Sequence, residues 1–179
     1  MRFNFPEFEN LEFQVKRRNI NWLNDEQDLK KYCDAKTWYP IVDAAITQLK
    51  QTNFMHGRVR MLTASFLTKN LLTDWKKWEE FFSQYLLDYD ETINIGNWQW
   101  SASVWPDPKP MRVFSPIIQS QKFDSNAEYS KKYIPELEKY SPEQIHDPMK
   151  YDLSAYCVPM VPQKESGKRA REYYKWEIK

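Results

Sequence analysis

Between Asp88 and Ser103 the chain reads DYDETINIGNWQWSAS, which sets Asp88, Asp90 and Asn94 just ahead of Trp98 and Trp100. Burying two indoles is worth several kcal/mol to a core, and the hydration of neighbouring carboxylates opposes that burial. The mixture points to a neighbour that is flat and polar-edged. Core packing of both indoles is the competing expectation. Trp98 and Trp100 are two residues apart, so whether extended or helical they point in different directions, one inward and one toward a cleft. Upstream, Arg58 and Arg60 lie on an otherwise apolar stretch. A partly buried guanidinium there requires a carboxylate, and Asp88 and Asp90 are the candidate partners. Such a pair is either a structural salt bridge between helices or the frame of a cofactor edge.

Composition narrows the chemistry. The 179 residues suit one domain with a real core, and 16% are aromatic, so flat rings are abundant. Three glycines leave no material for a dinucleotide fingerprint or a phosphate-cradling loop, both of which need several. A net charge of +1 means that any affinity for nucleic acid must come from a local basic face. Two histidines, His56 and His146, are too few for most His-based metal sites, so no metal is expected. Cys33 and Cys157 are far apart and the N-terminus is not signal-like. A reduced, intracellular setting follows as an expectation, cytoplasmic or nuclear and not secreted. No apolar run approaches the roughly 20 residues of a membrane span.

The elements that must position these groups read as helices throughout. Asn24 or Asp25 can cap a short helix ending at Cys33, and Pro40 suits the first turn of a second helix, in which Ile41, Ala45 and Leu49 form one stripe. A third helix is expected from Met55 to about Leu72, with Met55, Val59, Leu62 and Phe66 inward. A fourth starts at Asp74 and carries Trp75, Trp78, Phe82 and Tyr85. Ser125 with Glu128 matches a capping box, and Ser141, Pro142 and Gln144 repeat the pattern. The prolines of VWPDPKP, residues 104–110, require a loop. The closing KESGKRAREYYKWEIK reads as a basic helix with a solvated face. No alternating strand and no internal repeat is evident.

The runs RVRMLTASFLTKNLLTDW, DYDETINIGNWQWSAS, RVFSPIIQSQKFD and YIPEL, in this order, closely resemble the C-terminal part of the helical flavin-binding domain of DNA photolyases and cryptochromes. The resemblance extends from about Phe3 to the chain's end and implies an irregular all-α domain over residues 1–179. It implies FAD as cofactor, with Arg60, Asp88, Tyr89, Asp90 and Asn94 at the isoalloxazine, Arg60 paired to Asp88, and Asn94 beside flavin N5. An Asn there resembles the DNA-repairing members. Trp98, Trp75 and Trp22 match the family's electron-relay tryptophans. Trp100 and Met61 match positions against a flipped-out pyrimidine dimer, while Arg58 and Gln119 match DNA contacts. The implied activity is light-driven electron transfer from reduced FAD to a cyclobutane dimer in damaged DNA. That chemistry needs no proton-transfer base. No double histidine typical of repair of the other, six-four lesion occurs near His56. A cryptochrome-like or remnant module that binds nucleic acid or a protein partner without catalysis is the alternative.

The departures from the family pattern carry expectations of their own. Gly57 stands where the family has an Asn that touches adenine and lesion, and Phe54 where it has Trp. Ala35 and Trp38 stand where glycines are usual, and Tyr32 where Trp is usual. The family's antenna domain, its phosphate-binding loop, and the Glu and Trp that hold the lesion from the other side have no counterpart ahead of Met1. The chain is therefore expected to be a truncated photolyase whose pocket is completed by a separate N-terminal part or second chain.

Overall fold

The computed structural model describes residues 6–107, 111–151, 153, 156 and 160–176. Among them every regular element is helical, as expected. In chain order these are α1 (Glu26–Cys33), α2 (Pro40–Thr52), α3 (Gly57–Ser65), a π-helical turn (Phe66–Asn70), α4 (Trp75–Ser83), α5 (Glu91–Ser101), α6 (Pro116–Phe123), α7 (Glu128–Tyr133), α8 (Pro142–His146) and α9 (Gln163–Trp176), with short 3-10 turns between. Cys157, residues 108–110 of the proline-rich loop and residues 177–179 of the tail lie outside the described residues.

Caps explain most of the starts. The Asp25 carboxylate accepts from the N–H groups of Gln27 and Asp28, Asp74 from that of Lys76, and Asp90 from that of Ile93. Asn24 does not cap α1; its side-chain oxygen accepts from the Asp74 N–H across the fold. Ser141 and Gln144 form the expected capping box of α8. The box expected from Ser125 and Glu128 does not form. Ala127 occupies the cap position with φ of 55°, and the Asp124 carboxylate reaches over it to the N–H groups of Tyr129 and Ser130. A carboxylate satisfies two orphan donors at once, where the serine hydroxyl could take one.

Helix α2 runs through the middle of the domain. Ile41, Ala45 and Leu49 are buried as the stripe predicts, and so are Val42, Asp43, Ala44 and Ile46, so the helix is enclosed on nearly all sides. Asp43 accepts from the Thr37 N–H at 2.8 Å, the Thr37 hydroxyl at 2.7 Å and the Tyr156 hydroxyl at 2.8 Å. Complete burial outweighs these bonds and lifts its carboxyl to a pKa of about 6. The turn so stapled holds Ala35 at φ 52° and Trp38 at φ 72°. These are left-handed conformations that glycine adopts freely and other residues adopt at a cost. Glycine, which the resemblance leads one to expect at both positions, would suit this backbone, and the chain adopts it without glycine.

Helix α3 starts two residues later than its apolar spacing predicts. His56 caps it, its Nδ1 accepting from the Arg58 N–H, and Met55 is buried ahead of the cap. At its other end the helix widens into the π turn, where the Thr68 hydroxyl donates to the Ala64 carbonyl and to the Ser101 carbonyl of α5. The tail helix α9 is not simply solvated. Ser166, Ala170 and Tyr174 are buried against the π turn, and the Arg169 guanidinium donates to the Asn70 carbonyl at 2.6 Å. Small residues at Ser166, Gly167 and Ala170 give one face of a highly charged helix a close approach. The N-terminal segment is fastened to α5 by Gln99. Its amide donates to the carbonyls of Phe8 and Leu11 and accepts from the Phe13 N–H.

Candidate functional site

The two helices that flank the α4–α5 turn, together with α3, enclose a cavity of about 680 Å³, within the size range of ligand pockets. From α3 come Gly57, Arg60, Met61 and Ala64, from α4 Phe82, from the turn Leu86, Asp88, Tyr89 and Asp90, and from α5 Ile93, Asn94, Asn97, Trp98, Trp100 and Ser101. Most residues singled out from the sequence therefore meet in one wall. Arg58 and Gln119 do not line it. Arg58 is exposed at the start of α3, its guanidinium 4.5 Å from the Phe123 ring centre on α6, the helix that also carries Gln119.

Polar groups at the rim have definite orientations. Arg60 holds Asp88 through Nη2, at 2.8 and 2.9 Å from the two carboxylate oxygens, and its Nε donates to the Met55 carbonyl. Asp90 is engaged as the cap of α5. Asn94 Nδ2 donates to Glu79 Oε1 at 3.0 Å, and the Tyr89 hydroxyl donates to the same oxygen at 2.8 Å. Desolvation first, and then that bond to a carboxylate, push the Tyr89 pKa up, so Tyr89 remains a donor throughout the physiological range. With its nitrogen committed to Glu79, Asn94 keeps its amide oxygen for the cavity. Glu79 and Asn97 were not singled out from the sequence. Glu79 is one glutamate among many on a charged helix, and only the turn's fold brings it to Asn94.

The expected divergence of the two indoles holds. Trp98 is 3% exposed and packs edge-on against Phe82 with ring centres 5.1 Å apart, while Trp100 is half-buried at the cavity beneath the Arg112 guanidinium. Trp75 lies in the same buried cluster as Trp98, and half-buried Trp22 packs against that cluster, its ring 6.1 Å from Tyr174.

A flat tricyclic ring with a polar edge suits this wall, where indoles, Met61 and Phe82 offer apolar surface and Arg60, Asp88 and Asn94 offer edge partners. A diphosphate suits it poorly, since Arg60 is the only cation among the described lining residues and Asp88 already holds it. At Gly57 an added Cβ would meet nothing within 4 Å, so the absent side chain leaves open space. Among the described residues no cluster of His, Cys, Asp and Glu is arranged to hold a metal ion. None of their helices is long and apolar enough to cross a membrane.

The helical domain superposes on solved photolyases and on a cryptochrome. The bacterial class III photolyase from Agrobacterium tumefaciens superposes with a TM-score of 0.92 at 38% identity, over 98% of this chain and 39% of that one. The archaeal photolyase from Sulfolobus tokodaii, solved with two FAD molecules, gives 0.92 at 37% identity over 97% and 40%. A Synechocystis cryptochrome gives 0.85 at 30% identity, over 93% of this chain and 37% of that one. In sequence, the deoxyribodipyrimidine photo-lyase of Alkalihalophilus pseudofirmus is 40% identical over 98% of this chain and 39% of its own length. That of Escherichia coli K12 is 41% identical over 82% and 32%. The family model for the FAD binding domain of DNA photolyase matches residues 1–176, and the chain belongs to that family. FAD is the cofactor the family implies, and a cavity of about 680 Å³ with apolar walls and polar edge groups fits its flavin. The chain spans about two fifths of the length of the relatives it matches.

Proposed function

We propose that this chain is the C-terminal portion of a light-dependent DNA-repair photolyase, working with an N-terminal portion that completes its FAD pocket. The observation that carries this reading is the single wall in which Arg60–Asp88, Asn94, Trp98 and Trp100 meet. FAD, when bound, supplies light-driven donation of one electron to a cyclobutane pyrimidine dimer. The chain's residues position and shield. Arg60, Asp88, Tyr89 and Asp90 hold the ring's edge, and the Asn94 amide oxygen, oriented by Glu79, faces flavin N5. Trp98, Trp75 and Trp22 form the electron relay from cavity to surface. Trp100 and Met61 offer a platform to the flipped-out lesion, each stacked base being worth about 1 to 3 kcal/mol. Arg58, whose guanidinium lies over the Phe123 ring of α6, and Gln119 on that same helix contact the DNA. The cavity wall's lack of free cations supports a diphosphate site on the completing portion, either joined to this chain or supplied as a second one. A reduced intracellular compartment accords with a free Cys33 thiol.

The test is to produce the chain together with a photolyase N-terminal portion, record the flavin absorption, and illuminate dimer-containing DNA. Flavin retention and repair are expected; absence of both sinks the reading. A non-catalytic, cryptochrome-like role draws support from Gly57 and from the likeness to a cryptochrome. It predicts flavin retention with no repair.

A further inference from the structure

The middle tryptophan of the relay has a carboxylate at its nitrogen. Glu12 comes from the N-terminal segment that Gln99 fastens down, and it is only 2% exposed. Its Oε1 accepts from the Trp75 Nε1–H at 3.3 Å and from the Lys76 ammonium at 3.0 Å. Its Oε2 is buried with no hydrogen-bond partner among the described residues. The Lys76 ammonium also lies 5.5 Å from the Trp75 ring centre. Asp74, at the start of α4, and Arg18, whose Nε donates to the Glu12 backbone carbonyl, complete the charged surroundings. A buried carboxylate with one oxygen unpaired is a costly arrangement for structure alone, since each unsatisfied polar atom loses hydration without replacement. It is a good arrangement for taking up a proton, because protonation removes the buried charge.

We propose that Glu12 is the proton acceptor for oxidised Trp75. This rests on the assignment of Trp75 to the relay. An indole that has lost one electron is a far stronger acid than the indole itself, and a hydrogen-bonded carboxylate is the base placed to receive its proton. In the step, Trp75 gives one electron to fill the hole on Trp98, whose oxidant is a photoexcited flavin in the cavity. The Nε1–H bond breaks, and the proton crosses the existing hydrogen bond to Glu12 Oε1. Trp75 is left as a neutral radical and Glu12 as a neutral acid, so total charge at the pair rises by one, matching the electron lost. The positive charge then no longer sits under the Lys76 ammonium. Return of the electron must wait for the proton, which lengthens the life of the separated charge.

Two measurements test this. In the chain without flavin, the Trp75 indole N–H proton resonance, identified by its loss in Trp75→Phe, moves upfield in Glu12→Gln, because an amide oxygen is a weaker acceptor than a carboxylate. An unmoved resonance overturns the proposal. In the flavin-loaded protein, Trp22→Phe stops the hole at Trp75, and flash absorption then reads its protonation. The expected species is the deprotonated radical. In Trp22→Phe/Glu12→Gln it becomes the protonated radical and recombines at least about ten-fold faster, more slowly deprotonating without its base. The same spectrum and lifetime in both variants overturn the acceptor while leaving the relay intact. Failure to form any tryptophan radical, with Trp98→Phe also without effect, overturns the relay and the acceptor together.

Discussion

The inner and outer faces of α5 are built to different standards. Inward, Trp98 packs on Phe82, both of them buried although they also border the cavity, and Gln99 between the two indoles has both amide hydrogens and its oxygen engaged by the N-terminal segment. Outward, Ile93 lines the cavity yet is 64% exposed, and Leu87 in the adjoining turn is 82% exposed. Phe54 and Tyr89 add further apolar surface on that side. A contiguous apolar rim around a concave wall is the form of a surface meant to be covered. The inner face is finished by residues of this chain, and it fixes where Trp98 and Trp75 sit. The outer face is the wall of an open cavity, and its polar groups are oriented before anything binds.

This contrast can be broken most severely from inside. Phe82→Ala removes the ring between Trp98 and the rest of the buried cluster and should cost about 3 to 5 kcal/mol. A urea titration of the chain by tryptophan fluorescence checks it, and a loss below about 1 kcal/mol would mean that the inner face is loosely packed.

Two buried ionisable groups on the inner side sharpen the contrast through pH. Asp43 has its pKa raised from 3.8 to about 6, so its stabilising contribution is present below pH 4 and lost as pH rises through 6. Lys69, buried beside Ser103, has its pKa lowered from 10.5 to about 7, chiefly by desolvation. Its contribution is present above 10.5 and lost as pH falls through 7. Between about pH 6 and 7 both are missing. Lys69→Met should therefore flatten the rise of the urea midpoint on the alkaline side, and an unchanged slope would place the Lys69 ammonium in contact with solvent.

Smaller effects follow from backbone and rim. Ala35→Gly relieves the left-handed strain and should stabilise by about 0.5 to 1 kcal/mol, net of the added freedom of the unfolded chain. A melting temperature lower than the parent's would refute that account of the turn. Leu87→Ser should change the stability of the isolated chain by less than about 0.5 kcal/mol. It should nonetheless weaken association with a completing N-terminal portion in a pull-down or titration, and equal association would remove Leu87 from the joining surface.

Much of the site was legible because its residues lie close together in the chain. Asp88, Asp90, Asn94, Trp98 and Trp100 occupy one turn and one helix, and helical geometry alone sends Trp98 and Trp100 apart. From the residues alone Asp88 and Asp90 were both candidate partners for Arg58 and Arg60, and the family resemblance singled out the Arg60–Asp88 pair that the structure contains. Glu79 and Glu12 were not legible, since a glutamate in a charged or irregular stretch looks solvated until the fold buries it. The misplaced cap at Ser125 has a similar cause. Local spacing favoured the serine, and Asp124 won because its carboxylate could satisfy two donors in a left-handed turn that the spacing does not reveal.

By itself, then, the amino-acid sequence determined the helical class and, through the resemblance of its motifs, the family, because both are carried by residue type and short-range spacing. Only the tertiary structure decided which faces are finished and which are open. It buried Glu12 against Trp75, tied the Asn94 amide nitrogen to Glu79, docked a charged tail helix on the π turn, and left Ile93 and Leu87 bare. Each of those outcomes depends on burial and on partners far away in the chain, which no local pattern encodes.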